Sequence, residues 1–168
     1  PAPEYFLKKT NTEFVCMGES EITLPILLEA ISNKTSVSAI EGVAYRDKDN
    51  VYINHRRKPP KDLDSLPLPA WDLFPIEHYA LAKHPVYKSN DRSMGIMTNR
   101  GCPYKCNFCY RLEDGIRYRK ISNVIEEMAY LNKKYNINYF QIWDELMMTS
   151  KKRVLEIIMK LKKNNIEV

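Results

Sequence analysis

Six prolines, at positions 59, 60, 67, 69, 75 and 85, constrain this chain more than any other feature. Proline lacks a backbone N–H and fixes φ, so a stretch this rich in it excludes regular helices and central strands. Trp71, Phe74 and Tyr79 are interleaved with the prolines. A connector with that composition follows a fixed path and packs against something. The chain is thereby divided into residues 1–35, a linker over 36–92, and residues 93–168.

The first part reads as a strand at Glu13 to Met17, a break at Gly18-Glu19-Ser20, and a helix from Glu21 to Ser32. Ser20 is the expected N-cap, and Ile22, Ile26, Glu29 and Ala30 share the expected inner face. Strand, glycine turn and helix make one unit of an α/β sheet. The linker opens with two short strands, Ile40 to Arg46 and Val51 to Asn54, around the polar turn Asp47-Lys48-Asp49-Asn50.

The third part alternates. A strand over Ser93 to Thr98 leads into a cysteine-rich loop. Ser122 is the expected cap of a helix striped by Val124, Met128, Leu131 and Tyr135, with Glu126 and Glu127 near its positive end. A second strand covers Tyr139 to Trp143, and Thr149 or Ser150 caps a helix striped by Val154, Ile158 and Leu161. A third strand is expected from Ile166. This is the rhythm of a parallel β/α architecture, whose chemistry sits on loops at the C-terminal ends of strands. The cysteine loop lies at one such end.

Charge is uneven. Residues 1–90 hold 11 Lys/Arg and 12 Asp/Glu, a net −1, whereas residues 91–168 hold 15 and 9, a net +6. A basic half can attract nucleic acid. Lys133-Lys134, Lys151-Lys152-Arg153 and Lys160 to Lys163, however, all fall on expected helices, where charge runs solvate a face. Nucleic acid is therefore not the expected partner. No apolar stretch approaches the ~20 residues of a membrane span, and no secretory leader is visible. A cytoplasmic protein is expected. The chain starts without methionine and stops where a strand begins, so an internal piece of a longer protein is expected.

Of the four cysteines, Cys102, Cys106 and Cys109 fall within eight residues, and Cys16 sits apart in an apolar run, where a small buried side chain is expected. A tight cluster without a secretion signal favours a metal site over a disulfide framework. Structural zinc needs four closed ligands. Neither His84 nor Cys16 is near in sequence. An iron–sulfur cluster of the [4Fe–4S] type held by three cysteines keeps one iron open, unlike electron-transfer clusters held by four.

The segment Gly101-Cys102-Pro103-Tyr104-Lys105-Cys106-Asn107-Phe108-Cys109-Tyr110 resembles the signature of the radical S-adenosylmethionine superfamily, Cys-x3-Cys-x-aromatic-Cys. The resemblance implies that Cys102, Cys106 and Cys109 hold a [4Fe–4S] cluster and that S-adenosylmethionine binds the open iron. The cofactor would then be cleaved to methionine and a 5′-deoxyadenosyl radical. It further implies an external electron donor of flavodoxin or ferredoxin type and a small-molecule substrate that the chain does not identify. Phe108 takes the position near the adenine. Asp144 and Glu145, in Trp143-Asp144-Glu145, stand where the family's Gly-Gly-Glu-like stretch binds the methionine ammonium. The glycines are missing here, and an acidic turn before a helix is the plainer reading of the pair.

Upstream, Phe14 to Glu21, Ile40 to Arg46 and Leu63 to Asp72 resemble the end of a cobalamin-binding domain and its connector in one subgroup of that superfamily. No Asp-x-His-x-x-Gly motif is present, since His55, His78 and His84 are in other contexts, so cobalamin is an inference about the parent protein. The expectation is an α/β chain in three pieces. Residues 1–35 end a doubly wound cobalamin-binding-type domain, 36–92 form the Pro-rich linker with its hairpin, and 93–168 hold the first β/α units of a partial radical-enzyme barrel. Such a piece alone is expected to be inactive, while its parent transfers methyl groups or closes rings. The rival readings are an iron–sulfur electron-transfer module and an RNA-modifying radical protein.

Overall fold

The structure is a computed structural model that describes residues 2–81, 91–110, 112–164 and 166. Pro85 and His84 lie outside the described residues. The chain divides into two compact units, Pro1–Lys61 and Asp62–Val168.

The first unit opens with a helix the sequence did not announce, α1 (Pro3–Lys9). Pro3 sits in its first turn, where the missing N–H costs nothing, and Glu4 accepts from Lys8 Nζ at 2.6 Å. Only Leu7 is buried. Arg46 Nη1 closes the far end, donating to the Leu7 and Thr10 carbonyls.

Strand β1 (Phe14–Cys16) follows, then α2 (Thr23–Ser32), β2 (Val43–Asp47) and β3 (Asn50–Ile53). Both expected linker strands are present, but they do not belong to a separate linker. β2 pairs antiparallel with β1 (Val15 opposite Ala44) and with β3 (Arg46 opposite Val51). The expected boundary at residue 35 thus cuts through a three-stranded antiparallel sheet.

Two local expectations for α2 also change. Its N-cap is Ile22 without a side-chain bond, not Ser20. Its buried face is Thr23, Leu27 and Ala30, while Ile22 and Ile26 are exposed. Leu24 to Leu28 is apolar all round, so spacing alone cannot choose the face. Leu27 and Ala30 join Ile40 and Val43 in a small core, with Cys16 packed against it.

In the second unit the connector runs through single helical turns at Leu63–Ser65 and Trp71–Leu73 and a short helix, α3 (Ile76–Ala80). The prolines do exclude long elements, and Pro75 stands at the N-cap of α3, where its missing N–H breaks no helical bond. Of the three connector aromatics, Trp71 packs against the core, whereas Phe74 and Tyr79 are exposed.

Strand β4 (Ser93–Ile96) leads into β5 (Asn99–Cys102) and β6 (Gly115–Tyr118), then α4 (Ile121–Tyr135), β7 (Tyr139–Ile142) and α5 (Lys151–Lys163). β4 and β7 are parallel neighbours, with Ile96 opposite Ile142, and α4 makes the crossover. The expected β/α order is present. Val124, Met128 and Leu131 of α4 and Leu161 of α5 are buried as their spacing implies, but Ile157 replaces Ile158 on the inner face.

Ser122 does not cap α4. The N-cap is Lys120, and Asp64 of the connector serves that end, accepting from the Lys120 N–H at 2.8 Å and Asn123 Nδ2 at 2.9 Å. Ser150 caps α5, accepting from the Arg153 N–H. Ile166 is buried in the core, while positions 165, 167 and 168 of the expected third strand lie outside the described residues. No described helix is long and apolar enough to cross a membrane.

Candidate functional site

The cysteine loop is closed at its base by a hairpin. β5 and β6 pair antiparallel, Asn99 opposite Tyr118 and Cys102 opposite Gly115, so residues 103–114 form the arc between them. Gly101 makes the close approach workable. Its φ is +84°, and a Cβ there would lie 2.4 Å from the Gly115 carbonyl oxygen. Cys102 is half-buried at the strand end, and Cys106 and Cys109 are exposed on the arc. The Cys109 N–H donates to the Cys106 carbonyl at 3.3 Å, tightening the arc between them.

The turn from β4 to β5 is held from two sides. Asp144, just beyond β7, accepts the Thr98 N–H (2.6 Å) and the Asn99 N–H (3.1 Å) on Oδ1. Its Oδ2 accepts Thr98 Oγ1 (2.5 Å) and Asn99 Nδ2 (2.7 Å). On the carbonyl side, Arg153 Nη2 of α5 donates to the Thr98 and Arg119 carbonyls at 3.0 and 2.9 Å. Arg119 Nη1 donates to the Met97 carbonyl at 2.8 Å. The Arg153 guanidinium also lies 4.8 Å from the Tyr118 ring centroid, a cation–π distance.

Neither Asp144 nor Glu145 behaves as one of an equivalent pair. Both oxygens of Asp144 are engaged. Glu145 is exposed and makes no hydrogen bond or ion pair among the described residues. Phe108 is 85% exposed, and Tyr104 and Tyr110 beside it are exposed as well. Asn99 is buried, with Nδ2 also donating to the Leu146 carbonyl at 3.1 Å. Its Oδ1 is a buried side-chain acceptor without a partner in the described residues.

Three thiols on one loop are the donor set that suits an iron–sulfur cluster, and two of them are open to solvent. Among the described residues no three His, Cys, Asp or Glu side chains are arranged around a common centre. The donors match such a cluster in kind and number, and Cys106 and Cys109 are accessible to it. The spacing of the cysteines located the loop. The bracing roles of Thr98, Asn99, Arg119 and Arg153 have no sequence signal, because each acts on a partner remote in sequence.

Searches against known proteins agree with this geometry. No family model matches. An uncharacterized methyltransferase of Pyrococcus horikoshii is 32% identical over 162 residues, covering 92% of this chain and 33% of that protein. Cytidylyl-2-hydroxyethylphosphonate methyltransferase of Streptomyces wedmorensis is 27% identical over 169 residues, covering 85% and 32%. Among solved structures, the cobalamin-dependent S-adenosylmethionine radical enzyme OxsB, with aqua-cobalamin and S-adenosylmethionine bound, superposes with a TM-score of 0.72 at 21% identity, over 96% of this chain and 23% of that one. The chain has the fold of the cobalamin-dependent radical S-adenosylmethionine enzymes. The radical methyltransferase TsrM of Kitasatospora setae, with tryptophan and a S-adenosylmethionine analogue bound, agrees at a TM-score of 0.62 and 18% identity, over 96% and 30%. This chain spans about a third of the length of the curated relatives it matches. In this fold the cysteine arc follows β5, the hairpin strand that comes after the parallel strand β4.

Proposed function

We propose that this chain supplies the cluster-binding part of a radical S-adenosylmethionine enzyme, and that the whole protein is a cobalamin-dependent methyltransferase or cyclase acting on an unactivated carbon. One observation carries the reading: three cysteines with the radical-enzyme spacing lie on the end and arc of a hairpin that directly follows the parallel strand β4, in a chain with that fold. Cys102, Cys106 and Cys109 would hold the [4Fe–4S] cluster. The chemistry such a cluster supplies is reductive cleavage of S-adenosylmethionine to methionine and a 5′-deoxyadenosyl radical, with the electron coming from an external flavodoxin- or ferredoxin-type donor. The chain's own residues bind and orient. Glu145, free and exposed, would pair with the methionine ammonium, as a carboxylate does well. Phe108 would lie along the adenine. An electron-transfer module would want a fourth thiolate, but the remaining cysteine, Cys16, is packed against the core of the other unit.

The test is anaerobic reconstitution of the full-length protein. It should bind about four irons at this site, and replacing Cys102, Cys106 and Cys109 together by Ala should abolish that iron. Reduction with S-adenosylmethionine present should release 5′-deoxyadenosine. Iron retained by the triple variant would defeat the assignment.

A further inference from the structure

We infer that Asp144 is a positioning residue for the cysteine arc, acting through Thr98 and Asn99, and not a contact to the methionine ammonium. The inference deepens the cluster-binding reading and rests on it for the cluster's presence. Four donors converge on one carboxylate: two backbone N–H groups, one hydroxyl and one amide. A carboxylate has about four lone-pair sites. All four are used, so a substrate ammonium would have to displace a donor.

The location of those donors gives the bond set its purpose. Asp144 bonds Thr98, in the two-residue turn after β4, and Asn99, which begins the strand that ends in Cys102. Fixing the Thr98 and Asn99 amides fixes the direction in which β5 leaves the parallel pair. Cys102 is three residues along an extended strand, ~10 Å away, so a tilt at Asn99 displaces the first ligand at that lever arm. Asp144 is itself placed by β7, whose register with β4 sets Ile142 opposite Ile96. The carboxylate therefore ties the arc to the barrel strand beside it. Arg153 and Arg119 secure the carbonyls of the same turn, while Asp144 accepts its Thr98 and Asn99 amides. Groups that orient metal ligands from behind typically change metal affinity by about ten- to a hundredfold when removed.

The experiment uses the full-length protein and two variants that separate the roles. Asp144→Ala removes all four acceptor contacts. Thr98→Val keeps the backbone N–H and removes only the hydroxyl donor to Oδ2, and its side chain cannot pair with an ammonium. If Asp144 positions the arc, Asp144→Ala should lose iron to a chelator roughly ten- to a hundredfold faster than the parent, and Thr98→Val should do so to a smaller extent. Both should shift the electron paramagnetic resonance spectrum of the reduced cluster in the absence of S-adenosylmethionine. In the metal-free protein, hydrogen exchange at the Thr98 and Asn99 amides should accelerate in Asp144→Ala. If Asp144 instead binds the ammonium, both variants should keep the parent's iron and spectrum, and only Asp144→Ala should weaken S-adenosylmethionine. That result, or unchanged exchange at the two amides, overturns the inference. Failure of the parent itself to bind iron would strike the cluster reading alone, because the exchange measurement still decides what Asp144 holds. Should Asp144→Ala fold poorly, Thr98→Val and Asp144→Asn, which preserves Oδ1 for the two amides, carry the same comparison.

Discussion

Arg119 and Glu127 form an ion pair, Nη1 to Oε2 at 2.5 Å, with the glutamate side chain 1% exposed and the arginine 14%. Glu127 lies on α4, Arg119 directly follows β6, and Trp71 Nε1 donates to the other carboxylate oxygen at 3.0 Å. One buried carboxylate thus joins the connector, the hairpin and the crossover helix of the second unit.

The two partners should not be equivalent on removal. Arg119→Ala leaves the Glu127 carboxyl buried with only the indole N–H as a partner, and breaking a buried pair this way costs roughly 3–5 kcal/mol. Glu127→Ala leaves an arginine that reaches solvent and still bonds the Met97 carbonyl, so its cost should be smaller. Denaturant unfolding of the two variants checks the order, and equal losses would show that the charge is not as confined as its burial implies.

Two glycines should respond differently to alanine. A Cβ on Gly95 would lie 2.7 Å from the Trp143 indole, but that ring is 65% exposed and can swing outward. A Cβ on Gly101 meets the backbone carbonyl of Gly115 at a left-handed φ, and neither can yield without opening the hairpin. Strain of that kind costs ~1–3 kcal/mol. Gly101→Ala should therefore be the more destabilising change and should reduce iron retention as well. Adding Trp143→Ala should relieve Gly95→Ala and leave Gly101→Ala unrelieved. A thermal-melt double-mutant cycle decides it.

The parts of the fold that were legible are those with local causes. β4, α4, β7 and α5 follow from apolar spacing at two periods, and the cysteine arc from its own short motif. What was hidden depends on partners far along the chain. The start of α4 is served by Asp64, more than fifty residues earlier, and Ser122, although nearer in sequence, does not cap it. Asn99 to Cys102 has no β-branched residue and no alternation, and it is a strand because β6 pairs with it. The position of α2 is legible but its rotation is not, because an all-apolar first half gives no preferred face. The charge of Asp144 is visible in the sequence, while its structural use depends on β4 and β7 lying side by side.

Cys16 offers a prediction with a definite sign. Burial pushes its thiol above the ordinary range, favouring the neutral form in the fold. In the unfolded chain the thiol ionises near pH ~8.5. Its contribution is therefore fully present below that pH and is lost as pH rises toward the raised folded value. The stability of the first unit should decline with pH across that window, and Cys16→Ala should flatten the decline. In native metal-free protein, iodoacetamide should modify exposed Cys106 and Cys109 well before Cys16, and mass spectrometry of timed samples reads the order. Early labelling of Cys16 would contradict its packing against Leu27 and Val43.

The last prediction concerns Glu145, the acidic residue left free once Asp144 is committed to the turn. If it pairs with the methionine ammonium, Glu145→Ala in the full-length protein should weaken S-adenosylmethionine binding by the value of one charge-assisted hydrogen bond. That is roughly 1.5–3 kcal/mol, or about ten- to a hundredfold in affinity. Glu145→Gln should lie between, since it keeps an acceptor and loses the charge. Iron content should be unchanged in both, because Glu145 neither reaches the β4–β5 turn nor belongs to the cysteine arc. Stability should be nearly unchanged too, as an exposed carboxylate without a partner removes nothing when truncated. Equilibrium binding to the reconstituted protein, with iron assayed on the same samples, separates this pattern from the loss of iron expected of Asp144→Ala. Parent-like affinity in both Glu145 variants would place the ammonium on another acceptor, and the buried Oδ1 of Asn99, which has no partner among the described residues, is the next one to vary.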